Sequence, residues 1–113
     1  MEMEVSDLDG NVRKVAFVGR LDTQGVDAIE NQFTASVVPA QQPTIVDLSN
    51  VDFVASMGIR MFIAVGRSLS SKQVGMALYA PQDLVAEVFD NVSMSDIMPI
   101  CSSESEAISA VTA

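Results

Sequence analysis

Apolar residues recur along this chain at two spacings, and the switches between them mark its elements. Met3 to Asp7 reads as a short strand, and Asp9-Gly10 supplies a turn. From Val12 to Gly19 the residues alternate imperfectly, as a second strand requires. Val15 and Phe17 face one side; Val12, Lys14, Ala16 and Val18 face the other. Arg20 to Thr23 leaves the sheet, with Asp22 or Thr23 placed to cap a helix. The spacing then turns helical, and Val26, Ile29, Phe33 and Val37 fall on one face. Pro39 to Pro43 ends that helix in a loop. Thr44 to Leu48 is apolar and β-branched, which suits a buried central strand.

After Ser56 the period is helical again. At about 100° per residue, Ile59, Phe62, Ile63, Gly66 and Leu69 share one face, predicted to be the core side. The opposite face carries Met57, Met61, Ala64 and Ser68, flanked by Val65, Arg60 and Arg67. Gln73 to Tyr79 predicts a fourth strand, and Pro81 suits the first turn of a third helix. Leu84 and Val88, with Val85 and Phe89 alongside, form its expected inner face. Asp96 to Cys101 predicts a last strand, which Pro99 confines to a sheet edge. Ser103 and Glu106 form a capping box that opens a final helix through Ala107, Ile108 and Val111. The expected class is therefore α/β: one domain over residues 1–113, with a mixed four- to five-stranded sheet packed with about four helices.

Composition narrows the chemistry. With 113 residues, 49% of them hydrophobic, there is room for one packed core. Six Lys and Arg against fifteen Asp and Glu give a formal charge of −9. That balance argues against nucleic acid and against an anionic membrane surface as partners. There is no histidine, which removes the commonest general base and any Ser-His pair. The one cysteine, Cys101, cannot form an internal disulfide or a thiolate cage, and reads as a small apolar residue near a strand. No apolar run approaches the ~18 residues of a membrane span. The acidic start, Met-Glu-Met-Glu, is unlike a secretory signal. A soluble, cytoplasmic protein with no metal or other cofactor is expected.

Chemistry concentrates where Asp47-Leu48-Ser49-Asn50-Val51-Asp52-Phe53-Val54-Ala55-Ser56-Met57-Gly58 runs from strand into helix. A serine at that junction has three readings: helix cap, nucleophile or phosphorylation site. As a cap it would contribute about 1 kcal/mol. As a nucleophile it needs a base, and only Lys14 or Lys72 could stand in for histidine. Asp22, Asp47 and Asp52 read as a cap, a strand end and a solvated turn, and no Gly-x-x-x-x-Gly-Lys motif cradles a phosphate. Methionines bordered by arginines on the second helix resemble an interface more than a solvated face. The competing reading is that another part of the chain covers them. The candidate partner-binding residues are Ala55, Met57, Gly58, Arg60, Met61, Ala64, Val65 and Ser68.

The same residues resemble a known family. Asp47-Leu48-Ser49 and Phe53-Val54-Ala55-Ser56-Met57-Gly58-Ile59 are similar to the signature segment of STAS domains, particularly bacterial anti-sigma factor antagonists. Gly19-Arg20-Leu21-Asp22 resembles that family's Gly-x-Leu-Asp at the exit of its second strand. Val88-Phe89-Asp90 and Ser105-Glu106-Ala107 fall where the family has its third and last helices. The resemblance implies a non-enzymatic regulator that binds a serine kinase of the histidine-kinase-like ATPase type, often an anti-sigma factor. It implies that this kinase phosphorylates one serine, matched here by Ser56, and that a metal-dependent phosphatase reverses the step. The family usually has Asp before that serine and Ser or Thr after it, where this chain has Ala55 and Met57. Arg60, four residues on, either reaches a phosphate at Ser56 or pairs with a nearby acid. The alternative within the family is a constitutive interaction module of a transporter-accessory or stressosome-like complex, in which Ser56 is only a helix cap.

Overall fold

A computed structural model describes residues 1–112. The strands are β1 (Glu2–Leu8), β2 (Val12–Leu21), β3 (Thr44–Val54), β4 (Met76–Tyr79) and β5 (Ile100–Cys101). The helices are α1 (Thr23–Val37), α2 (Ser56–Ser70), α3 (Asp83–Asn91) and α4 (Glu104–Thr112), with a short 3₁₀ turn at Met94–Asp96. The strands lie side by side in chain order; β1 is antiparallel to β2, and every later pair is parallel. Parallel neighbours need a crossover, and α1, α2 and α3 supply the three.

Alternation along the strands sends side chains to two separate cores. Val15, Phe17, Leu21, Val46, Leu48 and Leu78 point toward α1, α2 and α3. Four phenylalanines hold that layer together edge to face. Phe17 meets Phe33 at 5.2 Å and Phe62 at 6.0 Å, and Phe62 meets Phe89 at 6.5 Å. Such pairs add about 0.5–1.5 kcal/mol each beyond their area. On the other face Val12, Ile45, Ala77 and Tyr79 pack against Ala107 of α4.

Polar groups fix α4 in place. Lys14 Nζ donates to Glu104 Oε2 at 2.9 Å, and the Tyr79 hydroxyl donates to the same oxygen at 3.2 Å. The Lys14 hydrogen bond lowers the Glu104 pKa, and the same bond raises that of Lys14. Burial, with Asp47 nearby, pushes the Tyr79 phenol up to about 12. Glu106 Nα donates to Ser103 Oγ at 3.3 Å, while the Glu106 carboxylate reaches back to Ser102 N–H at 3.1 Å. The expected capping box is present, with its return bond one residue earlier than the standard form. Cys101 lies half-buried in β5, its thiol pushed up by burial.

Several boundaries depart from the expected ones. The last strand, expected from Asp96 to Cys101, is only Ile100–Cys101, because the chain turns as a 3₁₀ helix over Met94–Asp96. β3 runs to Val54, because Asn50 to Val54 pairs with the bulged end of β2. β4 begins only at Met76, since Gln73 takes a positive φ of 62° as the chain leaves α2. In α3 it is Val85 and Phe89 that are buried, while Leu84 is 70% exposed and Val88 half-buried. Pro81 lies before the helix rather than in its first turn, with Gln82 as N-cap. Among the described residues, no helix is long and apolar enough to cross a membrane.

Candidate functional site

The junction between β3 and α2 is built by a bulge in its neighbour. β2 shifts register against β3 between Ala16 and Val18 and again between Gly19 and Arg20. Gly19 holds a φ of +121°, which residues with a side chain rarely adopt. The shifts set Arg20 beside Phe53 and Leu21 beside Val54. The Ala55 N–H then donates to the Leu21 carbonyl at 2.8 Å, tying the exit of β3 to the exit of β2. One residue on, Asp22 Oδ1 accepts from Gly25 N–H at 2.8 Å and caps α1. Both helices therefore begin at the same rim of the sheet.

Ala55, with extended φ −101° and ψ 174°, is the N-cap of α2, and it makes no side-chain capping bond. Ser56 is the first helical residue and is exposed. This corrects the cap reading by one position. The bond from Ala55 N–H to Leu21 keeps residue 55 in sheet-like backbone, so the helix can start only at residue 56. A module in which Ser56 serves as the cap does not describe this turn.

The rotation of α2 also differs from the expected one. Gly58, Met61, Phe62, Val65 and Leu69 face inward, roughly 80° around the helix from the predicted face at ~100° per residue. Met61 is 1% exposed and Val65 3%. Gly58, Met61 and Val65 therefore leave the candidate surface. Met57, Arg60 and Ala64 are exposed, and Ala55 and Ser68 are half-buried. The cause lies at Gly58, where a Cβ would meet Val54 Cγ2 at 3.0 Å and Leu21 Cβ at 3.3 Å. A Cβ there would be tighter than ordinary packing, so the glycine favours this close approach of the first turn to the strand ends, and with it Ser56 points outward.

The outer stripe of α2 carries Arg60 and Arg67 and no acid, in a chain of net charge −9. Among the described residues, neither arginine is in an ion pair. Arg20, by contrast, lies 4.5 Å over the Phe53 ring and 3.7 Å from Asp22 Oδ2. Among the described residues, no three His, Cys, Asp or Glu side chains gather closely enough to hold a metal ion.

Sequence reasoning missed Phe53 and Leu84. Phe53 is 38% exposed at the end of β3, and with Val54, Leu84 and Val88 it lines an apolar groove beside the turn. The available signal was Leu84 itself, an apolar residue one position off the Val85–Phe89 stripe.

Residues 4–107 match the family model described as the STAS domain. The chain belongs to the STAS domain family. Its STAS fold is shared with an anti-sigma factor antagonist from Mycobacterium paratuberculosis, at 25% identity and a TM-score of 0.88, over 99% of this chain and 94% of that one. The anti-sigma factor antagonist SpoIIAA in its unphosphorylated form superposes with a TM-score of 0.76 at 20% identity, over 95% and 93% of the two chains. Bacillus SpoIIAA in its phosphorylated form superposes with a TM-score of 0.70 at 18% identity, over 96% and 97%. Among curated proteins, BtrV of Bordetella bronchiseptica, a candidate anti-sigma factor antagonist, is 24% identical over 97% of this STAS chain and 94% of its own.

Proposed function

We propose that this STAS domain is a non-enzymatic regulator whose docking to a serine kinase or anti-sigma factor is gated by reversible phosphorylation of Ser56. One observation carries the reading: Ser56 is an exposed hydroxyl at the first position of α2 that caps nothing. A serine kept for helix stability would stand at residue 55. The likeness to SpoIIAA, which is known in unphosphorylated and phosphorylated forms, supports the same reading. A metal-dependent Ser/Thr phosphatase would reverse the modification.

Phosphorylation adds about −1.5 to −2 charges and three acceptor oxygens. The isolated domain tolerates them, because the N–H groups of Ser56 and Met57 have no preceding turn to bond and the helix dipole favours an anion there. A docked partner does not. With Met57 and Ala64 covered, the phosphate loses water, and an uncompensated buried charge costs several kcal/mol. Each ~1.4 kcal/mol is tenfold in affinity, so two to three decades of weakening follow without refolding. Arg60, one turn along and among the described residues in no ion pair, tempers the effect by partly neutralising the phosphate.

Incubating the purified chain with ATP and a histidine-kinase-like serine kinase from the same genome should add one phosphate by intact mass. Ser56→Ala should abolish it. Equal phosphorylation of Ser56→Ala refutes the assignment.

A further inference from the structure

We propose that the groove between the end of β3 and α3 is a docking subsite for a partner segment presenting one large apolar side chain flanked by lysines or arginines. The proposal rests on the phosphoswitch reading in one respect: Val54 lines the groove two residues before Ser56, so its occupant belongs to the regulator that docks at that turn.

The groove has a volume of about 280 Å³ and is lined by Phe53, Val54, Leu84, Glu87, Val88 and Asn91. Leu84 is the most exposed large apolar side chain among the described residues. An apolar anchor entering here would cover Leu84, Phe53 and Val88 together. The rim sets the charge of the occupant. Glu87 is the one charged residue of the lining, and Asp83 and Asp90, four residues before it and three after, continue an acidic stripe beside the groove along α3, a helix with no cation. Arg20, the cation at the Phe53 end, already pairs with Asp22. A second copy of the chain would set acidic rim near acidic rim between two bodies of charge −9, which opposes self-association. Basic flanks on a different protein complement the rim, and they speed its encounter with an acidic domain.

The test is an NMR titration of the isotope-labelled full chain with a synthetic amphipathic helical peptide of leucine and lysine. Amide shifts confined to Phe53, Val54, Leu84, Val88 and Asn91 are expected. Leu84→Ser should weaken binding about tenfold without lowering the melting temperature, because the side chain is exposed. Glu87→Lys should weaken binding and flatten its salt dependence, because one acid of the α3 stripe becomes a cation in a chain that stays acidic. The exposed Thr34→Ala on α1 should leave the titration unchanged, and phosphate on Ser56 is read separately by intact mass, so loss of phosphorylation and loss of groove binding are separate results. The proposal is overturned if shifts spread over the acidic residues of β1 and α1 regardless of Leu84→Ser. It is equally overturned if groove signals move with protein concentration alone, which would make a second copy the occupant.

Discussion

Replacing Ser56 by alanine, alongside Ala55 by aspartate, separates a helix cap from a free hydroxyl. Removing a capping serine costs about 1 kcal/mol, within a range of roughly 0.5–2. Ser56 lies one residue inside the helix and Ala55 holds the cap geometry. Alanine there loses no capping bond and is the better helix former by about 0.5 kcal/mol. Ser56→Ala should therefore change stability by no more than about 0.5 kcal/mol, in the stabilising direction. Ala55→Asp places a carboxylate where it can accept from the N–H of Met57 or Gly58 and meet the positive end of the dipole. It should add about 1 kcal/mol, or about 4 °C in melting temperature for a domain of this size. Urea unfolding at constant m, with thermal melts, reads both changes. A loss near 1 kcal/mol in Ser56→Ala with no gain in Ala55→Asp would show that Ser56 is the cap. The structural case for a freely available acceptor would then fall.

The two methionines of α2 should behave oppositely, although they were expected on one surface. Met61→Ala empties a buried site and should cost about 2–5 kcal/mol, whereas Met57→Ala should stay within about 0.5 in urea unfolding. Equal effects would place them on the same face. Gly25→Ala drives a Cβ into the Arg20 carbonyl oxygen, a rigid backbone atom, and should cost about 3 kcal/mol by thermal melt. A change under about 1 kcal/mol would mean that the α1 entry can shift. The α4 anchor should be pH-dependent in a defined direction. Glu104 has its pKa lowered in the fold, so its contribution is present above 4.5 and is lost as pH falls through the folded value. Lys14 has its pKa raised, so its share is present below 10.5 and is lost as pH rises through its folded value. The destabilisation caused by Glu104→Gln should thus shrink as pH falls from neutral through the folded value of Glu104. A penalty that does not change with pH would rule the ion pair out.

Much of this protein is written in local sequence. Val26, Ile29, Phe33 and Val37 recur at helical spacing, and all four are buried in α1. Val15 and Phe17 separate from Val12 and Lys14 by alternation, imperfect as it is over the whole strand, and they enter different layers of the structure. Local pattern likewise placed a serine at a strand-to-helix corner. It did not decide which way α2 turns. That helix is apolar around most of its circumference, so several rotations bury comparable area. The choice falls to Gly58 against Val54 and Leu21, and to Phe62 among Phe17, Phe33 and Phe89. The cap position depends in turn on one hydrogen bond from Ala55 to a residue far back in the chain. Periodicity determined the elements because each reports its own burial. The exposed face, the free hydroxyl and the groove were decided by contacts between elements, which no single segment encodes.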